Sequence, residues 1–137
     1  MNRVEFQQIA EVRFKEARSL LDAGFSDGAY YLAGYSVECA LKACIAKRTR
    51  EHDFPDKKLA NESHTHSLRE LLRLADLSGA LQAAIQQDPK MEDRWATVTN
   101  WSEASRYQRI DARLAASLIE AIEDHSGGIL SWIRLHY

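Results

Sequence analysis

Residues 34–43 read GYSVECALKA. The composition is that of a helix interior, yet the stretch carries Glu38 and Lys42. From Tyr30 to Ala46 the only strongly polar side chains are Ser36, Glu38 and Lys42. Burying an unpaired charge costs several kcal/mol or more. Either this face is not buried, or the charges have partners, or they have a task.

Outward from this stretch the chain reads as all-α. Apolar residues recur at three- and four-residue intervals, strand alternation is almost absent, and only Pro55, Pro89 and six glycines interrupt 137 residues. A first helix spans about Arg3 to Ala23, with Gly24 as its C-terminal cap. Ser26 or Asp27 caps a second, which runs to about Arg50. The link between them is short, so the two lie antiparallel. EHDFPDKKLANESHT, residues 51–65, reads as an exposed loop. Ser67 and Glu70 have the form of a capping box and open a third helix, LRELLRLADL. Ser78 starts a helix through Gln87. Asp88-Pro89 starts another, with proline at its first position and Trp95, Val98 and Trp101 along it. SEASRYQRID is an irregular link. Asp111 caps a last helix to about Leu135, with the stripe Ala115, Leu118, Ile122, His125, Ile129 and Trp132. Gly127-Gly128 lies inside that helix; packing holds it together, with a kink there as the alternative.

A chain of 137 residues fits a single domain, residues 1–137, with one core. The net charge of −2 gives no general attraction to nucleic acid or anionic membrane, though a local basic patch is compatible with it. No apolar run reaches the roughly 18 residues that span a bilayer, and MNRVEFQQIAEVRFKEAR has no signal-peptide core; both place the chain in the cytoplasm, away from membranes. Cys39 and Cys44 fall five apart in one helix, too divergent to bridge each other, and read as buried thiols. Neither the cysteines nor His64 and His66 make a metal site, so no metal and no cofactor is expected.

At about 100° per residue, Asp27, Tyr31, Gly34, Tyr35, Glu38, Lys42 and Thr49 share one narrow band of the second helix. Glu38 and Lys42 are four apart, in the favourable order for an ion pair. The band either faces water or lines a groove or a symmetric dimer seam, where Gly34 would allow close approach and the tyrosines would supply contact area. Arg13 falls inside the apolar stripe of the first helix. It either pairs with Glu38 as a structural ion pair or snorkels from the stripe edge. His125 reads as a hydrogen-bonded core histidine.

EARSLLDAGFSDGAYYLAGYSVECALKACI, residues 16–45, resembles the first two helices of a HEPN domain, with the E-x-x-L-K-A sequence at Glu38 to Ala43. HTHSLRELL, residues 64–72, is similar to the H-x-L-x-x-L segment that opens the next helix. ASRYQ, residues 104–108, resembles the A-R-Y-P segment before the last one, with Gln108 where proline is usual. The resemblance covers nearly the whole chain. It implies an antiparallel up-and-down bundle of four to five helices, often dimeric. It also implies nucleotide binding or metal-independent RNA cleavage in toxin–antitoxin or defence systems, often beside a small nucleotidyltransferase. The ribonuclease members carry an arginine followed after four to six residues by a histidine. None of His52, His64, His66, His125 and His136 has an arginine so placed; Arg48 and His52 come one residue short.

Cleavage of RNA without metal needs a base for the 2′-hydroxyl and a cation for the phosphate. His66 is the candidate base and Arg106 or Lys42 the cation, with Tyr107 stacking on a base or bonding a phosphate. In the structural alternative Tyr107 plugs the bundle end and Arg106 pairs with Glu38 or another carboxylate. The expected function is binding of a nucleotide or nucleic-acid phosphate in a groove lined by Tyr31, Tyr35, Glu38, Lys42 and Tyr107 with His66 and Arg106. The expected setting is a homodimer beside a nucleotidyltransferase. A ribonuclease with an atypical site and a purely structural dimerisation module are the alternatives.

Overall fold

In a computed structural model of the protein, residues 1–51, 57–123 and 125–137 are described, the side chains of Arg50 and Glu51 excepted. Among them every regular element is a helix and none is a strand. The elements are α1 (Arg3–Asp22), α2 (Ser26–Glu51), α3 (Lys57–Glu62), α4 (Leu68–Leu74), α5 (Ser78–Gln87), α6 (Lys90–Thr99), a 3₁₀ helix (Glu103–Tyr107), α7 (Ala112–Glu123) and α8 (Ile129–Arg134).

The first two helices form where the apolar spacing predicts them. Asn2 and Glu5 make a reciprocal capping box at the start of α1. At its end the Gly24 amide donates to the Leu21 carbonyl at 3.1 Å and the Phe25 amide to the Leu20 carbonyl at 2.8 Å. That pair of bonds reverses the chain, with Gly24 at φ +88. α2 begins at Ser26 itself, so neither Ser26 nor Asp27 is its cap. Asp27 instead accepts the Ile110 amide at 2.6 Å and pairs with Arg109, which ties the start of α2 to the segment before α7.

α2 is the centre of the fold and packs against α1, α4, the 3₁₀ helix, α7 and α8. Ala33, Val37, Ala40, Leu41 and Ala43 are fully buried on it. Small residues let the neighbours approach closely. A Cβ on Gly34 would overlap the indole of Trp101, so the close approach expected at this glycine is made by a ring rather than by a second backbone. Trp101 itself lies just beyond the end of α6.

Four sequence expectations are corrected. Residues 57–62 of the expected loop are helical, with Leu59 packed against the core; His52 and Pro55 lie outside the described residues. Pro89 takes the cap position of α6 rather than its first turn, while Asp88 accepts the Lys90 amide at 3.1 Å. The last helix is two: α7 stops at Glu123 and α8 begins at Ile129. Gly127 has φ +151, a backbone open to glycine and strained for other residues, and its carbonyl accepts from the buried Arg94 at 3.1 Å. The break also turns His125 out of the stripe, and it is exposed. The Asp111 cap stands as expected, accepting the Leu114 amide at 2.7 Å.

Both cysteines are buried and free, and burial pushes their thiols up, Cys39 to about 11 and Cys44 to about 12. A thiol held neutral in the core keeps its proton more tightly folded than unfolded. Its contribution is intact below the ordinary value of 9.0 and is lost as pH rises through about 11 to 12. Unfolding free energy is therefore expected to fall from about pH 9 upward, with a shallower slope in Cys39→Ala and Cys44→Ala; urea titrations across this range check it, and slopes unchanged in both variants contradict it. Gly34→Ala is expected to cost about 1–3 kcal/mol by overpacking against Trp101, read from the urea midpoint and from tryptophan emission.

Candidate functional site

The carboxylate of Glu38 sits in the middle of α2 at 1% exposure. Lys42, one turn on, donates to Oε1 at 3.0 Å, and His66 Nδ1 lies 2.7 Å from the same oxygen. The second oxygen, Oε2, is buried with no hydrogen-bond partner. The ion pair expected from the i, i+4 spacing is thus formed, and it is buried on the acid side, so the band does not simply face water. The expected partner Arg13 is elsewhere. It pairs with Glu16 one turn along α1 at 2.7 Å, half-exposed, because a guanidinium at a stripe edge loses less hydration there than in the core.

His66 precedes Ser67, which caps α4 by accepting the Glu70 amide at 3.3 Å. The cap fixes where the chain turns into α4, and with it the reach of His66 toward α2. The opposite ring nitrogen, Nε2, lies 3.1 Å from Glu103 Oε2 on the 3₁₀ helix. The imidazole is therefore hung between a buried carboxylate and a half-exposed one. A neutral ring can donate to only one of them; only the doubly protonated ring satisfies both. The ring is itself about half exposed, and with Arg69, Trp101 and Glu103 it lines a depression of about 340 Å³.

In a 3₁₀ helix residues three apart eclipse, with a rise of about 2 Å per residue. Glu103 and Arg106 therefore project from the same side of the Glu103–Tyr107 helix, about 6 Å apart along its axis, close enough for the Glu103 carboxylate to favour the charged guanidinium. Arg106 is exposed, and its guanidinium lies 4.8 Å from the Tyr107 ring centroid. The phenols of Tyr107 and Tyr31 both favour its charged form. Tyr107 is 80% exposed. Both findings remove the anchor alternative: Tyr107 plugs nothing, and Arg106 does not pair with Glu38. Tyr31 stacks between Tyr35 and Trp101, with ring centroids at 6.1 and 6.2 Å. Burial raises the Tyr35 phenol to about 12, which keeps it a neutral donor.

Of the residues the sequence reading grouped, the structure joins Lys42 and His66 to Glu38, stacks Tyr31 on Tyr35 and on Trp101, and sets Arg106 over Tyr107 on the 3₁₀ helix; Lys42 also lines a different cleft. The sequence reading missed Glu103 and Trp101. Glu103 was hidden by reading its segment as irregular; its spacing of three from Arg106 was the available signal. Arg94, buried at 8% and bonded to Asp88 and the Gly127 carbonyl, was missed as well. Its i−6 carboxylate matches no helical pairing rule. Among the described residues no group of three or more His, Cys, Asp or Glu is placed to hold a metal, and no helix is long and apolar enough to cross a membrane.

The family model of the HEPN domain matches residues 4–134, which contain every member of this network. No curated protein and no solved structure matches the chain.

Removing one partner of a buried ion pair leaves the other charge uncompensated, at about 3 kcal/mol where the partners are partly exposed, as Lys42 and His66 are. Glu38→Gln is expected to lose about that much in urea unfolding, and Glu38→Leu combined with Lys42→Met to recover most of it. A Glu38→Gln variant as stable as the native protein would show that the carboxylate holds nothing.

Proposed function

The chain belongs to the HEPN domain family, whose members are generally nucleotide- or RNA-related and often occur in toxin or defence systems, and from that membership we propose that it binds nucleotide or RNA phosphate on the face carrying His66 and Arg106. One observation carries the reading: a cation and an 80% exposed aromatic ring stand together on the same short helix whose Glu103 holds His66. Arg106, Arg69 and Lys42 supply positive charge for the phosphate, and Tyr107 offers a face on which a base stacks. Glu103 opposes this. Its carboxylate occupies His66 Nε2 and repels a phosphate, so ligand entry displaces it from the imidazole. The setting we propose is a homodimer in the cytoplasm, working with a small nucleotidyltransferase; HEPN domains often dimerise, and Phe25 and Leu114 leave apolar surface outside the core.

A second reading is cleavage of the bound RNA. The buried Glu38 fixes the proton of His66 on Nδ1, which leaves Nε2 as the atom able to take a 2′-hydroxyl proton once Glu103 moves aside. Against it stands the missing arginine–histidine spacing of the family's ribonucleases. His52, the nearest approach to that spacing, lies outside the described residues.

Titration with ATP, GTP and short single-stranded RNA at modest salt tests the first reading. Saturable binding is expected for at least one of them. Tyr107→Ala is expected to weaken it by about 1–3 kcal/mol, and Arg106→Ala to weaken it and reduce the salt slope by about 0.7. Glu103→Gln is expected to tighten it. No saturable binding, or a Glu103→Gln variant that binds more weakly, removes the proposal. Prolonged incubation decides the second reading: RNA that stays intact rules it out, and cleavage abolished by His66→Ala supports it.

A further inference from the structure

A separate cleft of about 530 Å³ opens between the start of α1, the second half of α2 and α3. Its floor is apolar: Phe6, Ile45, Ala46 and Ala60 line it. Its polar edge is made by Arg3, Lys42 and His64 with the hydroxyls of Thr49 and Ser63, and no described residue lining it carries a carboxylate. Size and composition are those of a small-molecule site, a mostly apolar cleft with a few convergent polar groups.

Arg3 is the unusual member. It forms no ion pair and no hydrogen bond among the described residues, and its Nε is fully shielded from solvent. It also stands at the first position of α1, beside the positive end of the helix dipole, where a cation is disfavoured. Nothing intrinsic to the helix rewards a guanidinium there. A shielded N–H of this kind is destabilising while it has no acceptor. Lys42 reaches the same cleft from the opposite wall, since its bond to Glu38 uses one of three ammonium protons.

We propose that this cleft binds a small organic anion with an apolar body, its carboxylate or phosphate held by Arg3 and Lys42 and its body laid on Phe6, Ile45 and Ala46. Among the described lining residues the charge complementarity is one-sided, with Arg3, Lys42, a histidine and hydroxyls and no carboxylate, although Lys42 also bonds Glu38 outside the cleft lining. The site lies apart from Arg106 and Tyr107 and shares with that face only Lys42.

The probes are 2-naphthoate, 2-naphthyl phosphate and the neutral 2-naphthalenemethanol, titrated calorimetrically into the full chain. Saturable binding is expected for the two anions, the tighter of them showing which head group the cleft prefers, and at least tenfold weaker binding for the alcohol. Arg3→Gln is expected to weaken anion binding about tenfold, and Ala60→Phe, which fills the cleft from α3, to abolish it. Arg106→Gln is expected to leave it unchanged, and Arg3→Gln to leave RNA binding unchanged, so that this site fails or stands independently of the other. Equal affinity for the alcohol and the anions overturns the proposal. So does anion binding that survives both Arg3→Gln and Ala60→Phe, or no binding by any probe.

Discussion

A single buried carboxylate organises this molecule. Glu38 sits at 1% exposure on the helix against which α1, α4, the 3₁₀ helix, α7 and α8 pack. A charge in that position is tolerated only when its partners reach it. Lys42 reaches it from one turn along the same helix. His66 reaches it from the segment before α4, and through its other nitrogen meets Glu103 on the 3₁₀ helix. Three stretches far apart in sequence are thereby set against one another. The arrangement is not fully satisfied, since Glu38 Oε2 has no bond. Replacing such a pair by apolar residues of similar shape is often close to neutral, so the carboxylate is weak evidence of stabilisation. What its contact with Nδ1 at 2.7 Å does is hold the His66 ring in one orientation.

The 3₁₀ helix beside it is held differently. Trp101 lies on the bare backbone of Gly34 and stacks on Tyr31, while Trp101 Nε1 and Ser105 Oγ are buried without partners. Ring packing and the His66–Glu103 contact fix this segment, with Asp27 pinning its far side through Ile110 and Arg109. The result presents Arg106 and Tyr107 outward on a base that cannot slide along α2.

Two further charge contacts close the fold around this centre. Arg94 crosses from α6 to the carbonyl of Gly127 and to Asp88, and so occupies the break between α7 and α8. Arg134 and Tyr137 bond Glu11, bringing the end of the described chain back to α1. Arg134 holds the Glu11 carboxyl below its usual range, and burial pushes the Tyr137 phenol to about 12. All of these contacts join residues that the sequence separates by between 6 and 126 positions, beyond the reach of any local rule.

That distance marks the boundary between what was legible and what was not. Sequence alone determined the helical class, the turn at Gly24, the caps at Ser67 and Asp111, and the Glu38–Lys42 pair, because each depends on residues within one or two helical turns. It also singled out His66, Arg106 and Tyr107, through their resemblance to family segments. It could not assign Glu38 its second partner. It offered Arg13, or Arg106, and did not consider His66; only the packing of α4 against α2 brings the imidazole to 2.7 Å while Arg13 turns to Glu16. It named Gly127-Gly128 as the site of a kink only as the alternative to a continuous helix, and it did not foresee the outward turn of His125. The helical spacing of the stripe continues across residues 115–132, and the contact made at the interruption, between Arg94 and the Gly127 carbonyl, comes from another helix. Local spacing decides which residues share a face; which faces meet, and which charges therefore find each other, is decided by the packing of the whole chain.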